Sequence, residues 1–142
     1  MKRVTGIGGI FFQAEDPEKL YAWYEKHLGM KREPHGHGVT LHWRDDVNPE
    51  DASTTWAVFE KRSKSFEPSQ APFMLNYRVD DLDALLAALR AEGVKIDPKR
   101  EDYDYGRFAW ISDPEGNRIE LWEPPKRGAA SGKGVSSGTG TA

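Results

Sequence analysis

Glu120 and Trp122 alternate with Ile119 and Leu121 in the run RIELWE. In an extended strand this puts the carboxylate and the indole on one face and the aliphatic pair on the other. Ile119 and Leu121 require a core, so Glu120 and Trp122 look away from it. A carboxylate beside large aromatic rings has two chemical uses: as a general base, or as the polar anchor for a flat or amphipathic small molecule. The same alternation puts Asn76 and Arg78 on one face of FMLNYRV, and Phe11 and Gln13 on one face of IGGIFFQA; Trp110 or Phe108 joins them from FAWIS. Trp43 and Trp56 supply further rings, with Phe59 as the alternative to Trp56. The competing reading is that the aromatics fill a core and that Arg78 pairs with Glu120, since a buried carboxylate needs a partner with or without a function.

Other chemistries fare worse. Cysteine is absent, which removes disulfides, thiolate metal sites and cysteine nucleophiles. His35, His37 and His42 in HGHGVTLH have a metal-like spacing, but the interleaved glycines indicate a solvated loop. His27 lies on a helical stripe, where packing explains it. GIGG lacks the spacing of a dinucleotide-binding glycine motif.

The elements that position these residues follow from local signals. Asp113-Pro114-Glu115-Gly116-Asn117 is a turn between the alternating runs FAWIS and RIELW, and so makes a β-hairpin. Residues 7–14 read as a strand. Asp16-Pro17 opens a helix with an N-cap and a first-turn proline; Leu20, Trp23, Tyr24, His27 and Leu28 form its stripe, and Gly29 ends it. Residues 31–33, 38–44 and 54–61 read as three strands. Residues 73–79 form a strand, Asp80-Asp81 opens a second helix with a Leu82, Leu85, Leu86, Leu89 stripe, and Gly93 closes it. A short strand over 94–96 and a linker lead to the hairpin. In that linker EDYDYGRF, with Tyr103, Tyr105 and Arg107, reads either as a cover for a cavity mouth or as surface loop.

The 142 residues suit one domain with a sizeable core. Hydrophobic residues make up 37% and charged residues 30%, as in a soluble globular chain. No apolar run approaches the ~20 residues of a membrane span, and MKRVTGIGGIFF is a poor signal peptide. A cytoplasmic protein is expected. Net charge is −3; residues 126–142 hold three basic and no acidic side chains, which leaves −6 on residues 1–125. An acidic body disfavours nucleic acid. The Gly/Ser-rich 126–142 is expected to be disordered.

The pattern repeats. AEDPEKLYAWYEKHLGMK aligns with VDDLDALLAALRAEGVK at an offset of 65 residues at the strands and 64 at the glycines (Gly29, Gly93). This predicts an α+β fold of two tandem βαβββ modules, at about 5–63 and 72–125, within one domain over 1–125.

The two modules, the helix end WYEKHLGM and the closing DPEGNRIELWEP resemble the vicinal oxygen chelate superfamily, which includes glyoxalase I, extradiol dioxygenases and bleomycin-resistance proteins. The resemblance covers roughly residues 5–125 and marks the fold more than any one reaction. It implies curled mixed sheets around a cavity, and a homodimer. Metal-dependent relatives draw four ligands from the first and last strand of each module. Carried over, these positions are Gly9, Ala57, Met74 and Glu120, of which only Glu120 is a hard-metal ligand. No cofactor is therefore expected. The expected function is bleomycin-resistance-like binding of an organic small molecule in an aromatic-lined cavity formed by Phe11, Gln13, Trp43, Trp56, Asn76, Arg78, Trp110, Glu120 and Trp122. The alternative is a glyoxalase-like lyase or dioxygenase with catalytic Glu120 beside a noncanonical divalent metal, for which Gln13 and His42 are further candidate ligands.

Overall fold

A computed structural model describes Met1 and residues 7–34 and 38–126. The expected loop at His35 and His37, and the expected disorder of the tail beyond Lys126, lie outside the described residues.

Among the described residues, two helices and four strands make a mixed α+β fold. Helix α1 (Pro17–Leu28) starts as its sequence requires: Asp16 Oδ1 accepts from Lys19 N at 3.1 Å, and Pro17 occupies the first turn. It stops at Gly29, whose φ of 66° is the left-handed conformation glycine adopts without a Cβ penalty. Strand β1 (Leu75–Arg78) leads to helix α2 (Leu82–Ala91), capped by Asp81 through Ala84 N at 3.0 Å. Strands β2 (Lys95–Tyr103), β3 (Gly106–Ser112) and β4 (Arg118–Glu123) complete the chain. The sheet order is β1-β4-β3-β2, with β1 parallel to β4 and the remaining pairs antiparallel.

The expected hairpin of β3 and β4 forms, and its register sets Trp110 opposite Glu120 and Phe108 opposite Trp122. The segment read as a short strand plus linker is instead the nine-residue β2, which pairs with β3 almost to the turn. Its alternation is broken by Pro98 and by a register shift between Ile96 and Arg100, which is why it does not read as a strand.

Among the described residues no strand precedes Leu75. The strands expected over 7–14, 31–33, 38–44 and 54–61 are therefore corrected: these segments form no ladder, and Trp43–Asp45 is a short 3₁₀ turn. Alternation makes a segment competent for a sheet, but a strand exists only where a neighbour takes its N–H and C=O groups.

The core lies between the helices and one sheet face. Leu20 and Tyr24 of α1 and Leu82, Leu86 and Leu89 of α2 pack with Ala109, Ile111, Ile119 and Leu121. Full burial of each large aliphatic side chain here contributes about 1.5–3 kcal/mol. The turn between β3 and β4 fastens α1 to this layer. Tyr24 Oη donates to Asp113 Oδ2 at 2.9 Å in the interior, and the Glu115 carboxylate accepts from the backbone N–H groups of Glu15 and Asp16, both at 3.2 Å. Burial raises the phenols of Tyr24 and Tyr77, the latter to about 12, so both are neutral. The end of α1 also meets the residue that caps α2: His27 Nδ1 lies 2.7 Å from Glu92 Oε1.

Candidate functional site

The face of the sheet turned away from the helices carries the side chains that alternate with the core set. Asn76 and Arg78 project from β1, Glu120 and Trp122 from β4, Phe108 and Trp110 from β3. Glu120 is 4% exposed. Its Oε1 accepts from Asn76 Nδ2 at 2.6 Å and its Oε2 from Trp110 Nε1 at 3.1 Å. Both donors come from strands flanking β4, so the ladder register itself aims two N–H groups at the carboxylate. Asn76 stays exposed, and that end of the Glu120 pair opens to solvent.

The Arg78 guanidinium pairs with Asp46. Its Nε and Nη2 donate to Asp46 Oδ2 and Oδ1 at 3.0 and 3.3 Å, a two-pronged pair that ties the loop after the 3₁₀ turn to the sheet. The guanidinium holds the Asp46 carboxyl below the usual aspartate range, against partial burial, and the Asn48 N–H adds to this. Arg78 also sits over the Trp122 ring, 5.1 Å from its centroid. Trp122 is parallel to Phe108 (6° between planes, centroids 6.2 Å apart) and donates Nε1–H to the Tyr105 carbonyl at 2.9 Å. That bond needs the backbone of the β2–β3 turn to come close, and Gly106, at φ 134°, permits it: a Cβ there would overlap the indole.

Tyr103 and Tyr105 stack on each other at 5.0 Å and meet Phe108 edge-on, extending the aromatic surface to the end of the β2–β3 hairpin. Tyr103 Oη donates to Glu101 Oε1 at 2.9 Å, and that bond raises its titration; burial and then the charges of Glu101, Glu120 and Asp104 raise that of Tyr105. Both phenols therefore remain donors at neutral pH. The EDYDYGRF segment is thus the strand end and turn of this hairpin.

Trp110 is 1% exposed, with Lys99 Nζ 5.0 Å and the Arg118 guanidinium 5.4 Å from its ring centroid. It holds Glu120 from inside and presents little ring surface. The surface that a molecule can reach is Trp122, half-buried, with Asn76, Arg78 and the tyrosine pair.

The first-half candidates stand elsewhere. Phe11 is 95% exposed, Trp56 78% and Trp43 64%. Gln13 lines a shallow cleft with Phe12 and Glu115, beside the start of α1. Phe59 packs on Phe66 at 5.1 Å. Asp46, which completes the Arg78 arrangement, escaped the sequence reading because it lies 32 residues from its partner in a polar loop with no periodic signal.

The donors present do not fit a hard divalent ion. Both Glu120 oxygens face N–H donors, Met74 offers a thioether, and Gly9 and Ala57 have no donor side chain and lie in unpaired segments. Among the described residues no cluster of three or more His, Asp or Glu could hold a metal ion, and no helix is long and apolar enough to cross a membrane.

Comparison with known proteins adds relatives to this geometry. The antibiotic-binding protein TnmS3 from Streptomyces sp. CB03234 is 25% identical, with a TM-score of 0.55 over 88% of this chain and 100% of that one. A glyoxylase/bleomycin resistance protein/dioxygenase domain from Frankia sp. EAN1pec is 17% identical, also with a TM-score of 0.55, over 87% of this chain and 100% of that one. The uncharacterized protein YaeR of Escherichia coli K12 is 42% identical over 50 residues, 34% of this chain; the match spans 39% of YaeR's length. The family model of the glyoxalase/bleomycin resistance protein/dioxygenase superfamily matches residues 6–121, from before α1 through the strand that carries Glu120. The chain therefore belongs to the glyoxalase/bleomycin resistance protein/dioxygenase superfamily.

Proposed function

We propose that this protein binds an organic small molecule with a flat aromatic body on the sheet face around Trp122, without the metal of its catalytic relatives. The observation that carries the reading is the grouping of Trp122, capped by Arg78, with Asn76 held by the buried Glu120. The ring supplies stacking area; Asn76 and the Arg78–Asp46 pair supply oriented polar groups at its border. Likeness to an antibiotic-binding protein supports the ligand class. Phe11, Gln13, Trp43 and Trp56 would join this surface once the first-half segments are covered. We further propose that a second copy of the chain covers them, giving a homodimer; the exposure of three large aromatic residues in unpaired segments supports this. A cytoplasmic setting fits the cysteine-free composition.

Tryptophan fluorescence during titration with acridine tests the binding reading. Saturable quenching that Trp122→Ala removes, and that Glu120→Gln shifts about tenfold to higher concentration by loosening Asn76, is expected. Quenching unaffected by both changes would sink it, as would stoichiometric Mn, Fe, Ni or Zn in the purified protein. Sedimentation equilibrium reads the dimer directly.

A further inference from the structure

The helix side of the sheet holds a second concavity, created by the irregularity in β2. Ile96 pairs with Ile111 and Arg100 with Ala109, so three residues of β2 stand against Trp110 alone. Within that bulge Pro98 has no N–H to give, and Lys99 N turns inward to Asp97 Oδ1 at 2.8 Å. Pro98 and the neighbouring Ile96 and Arg100 line the space beside Leu86 and Arg90 of α2. On β3 the facing side chain is the small Ala109, which leaves the space unfilled.

The result is a cavity of about 340 Å³ between α2 and β2, within the range of about 300–1,000 Å³ usual for small-ligand sites. Its floor is apolar, formed by Leu86, Ile96 and Ala109, and its rim carries Arg90 and Arg100, while the Lys99 ammonium turns away to the Trp110 ring. Asp97 is the one carboxylate in the lining, and Arg118 Nη1 takes it at 2.8 Å. Lys99 is paired with Glu101, and Arg100 with Asp83 and Asp102. The Arg90 side chain, on the exposed side of the last turn of α2, makes no hydrogen bond or ion pair among the described residues. An apolar floor beside an arginine that has no ionic partner among the described residues selects a particular chemistry. We propose that this cavity binds a small amphipathic carboxylate, its hydrocarbon part on Leu86 and Ala109 and its carboxylate on Arg90. Leu86, Ala109 and Arg90 lie on the helix side of the sheet, opposite Trp122, while Asp97 and Lys99 at the cavity edge reach Arg118 and Trp110 on the other face.

Methyl NMR of the full chain, titrated separately with sodium hexanoate, hexan-1-ol and sodium phosphate, tests this. Hexanoate is expected to move the Leu86 and Ala109 methyl signals saturably, with hexan-1-ol about tenfold weaker and phosphate without effect on them. Arg90→Glu, at an exposed position, should keep the fold and weaken hexanoate about tenfold while leaving hexan-1-ol unchanged. Ala109→Leu should fill the cavity and abolish the response. Unmoved methyls, equal affinity for hexan-1-ol and hexanoate, an unaffected Arg90→Glu variant, or shifts centred on Trp122 would each overturn the proposal.

Discussion

Asn76 and Glu120 are register partners across the parallel β1–β4 pair, and the Asn76 amide donates to the Glu120 carboxylate at 2.6 Å. The carboxylate also receives Trp110 Nε1–H, so its two oxygens fix one strand on each side. Glu120→Gln keeps the size and can retain one acceptor; it is expected to change unfolding free energy by only about 1 kcal/mol. Glu120→Ala leaves two N–H donors without their acceptor and should cost about 2–4 kcal/mol, measured by urea denaturation. Equal losses for the two variants would show that the hydrogen bonds are not what the position contributes.

The close approach at Gly106 makes a second, separable prediction. Gly106→Ala requires φ near 134° of a residue with a Cβ, places that Cβ 2.6 Å from Glu123 O, and drives it into the Trp122 ring. A loss of about 2–4 kcal/mol is expected, together with a shift in tryptophan emission as the indole is displaced. Gly116→Ala, where φ is also positive but nothing lies within 4 Å of the added Cβ, should cost only about 1 kcal/mol and leave emission unchanged.

Tyr24→Phe removes the buried donor to Asp113 while keeping the ring. Asp113 retains the N–H groups of Glu115 and Asn117, so the expected cost is about 1–2 kcal/mol. Hydrogen exchange should show that cost as faster opening of α1 relative to the β3–β4 hairpin.

The Asp46–Arg78 pair gives stability a pH dependence of known sign. The folded carboxyl titrates below the unfolded one. Its contribution is therefore complete above about pH 4, where an unfolded aspartate is ionised, and is lost as pH falls through the folded value. Asp46→Asn should lower stability at pH 7 by up to about 1 kcal/mol and flatten the decline between about pH 5 and 2. Denaturation midpoints at several pH values read this directly.

The second half of the chain was largely legible because each of its elements carries its own local instruction. Asp81 caps, Gly93 terminates, and alternation with a DPEGN turn sets the β3–β4 register, so the shared face of Asn76, Arg78, Glu120 and Trp122 followed from parity. What escaped was non-local. Arg78 finds Asp46 across 32 residues, and Asp113 and Glu115 spend their side chains on α1, at separations of 89 to 100 residues; neither leaves a periodic trace. Phe11, Trp43 and Trp56 sit in segments whose alternation suits a strand but which find no ladder partner among the described residues, so pattern alone placed them in strands.

The contact between His27 and Glu92 has a mechanical consequence. The imidazole in the last turn of α1 faces the carboxylate that caps α2, across 65 residues of chain. An imidazole beside a carboxylate attracts it, most strongly when protonated. The C-terminal ends of the two helices are thereby fastened to each other, so that fraying of one end also breaks a contact that holds the other.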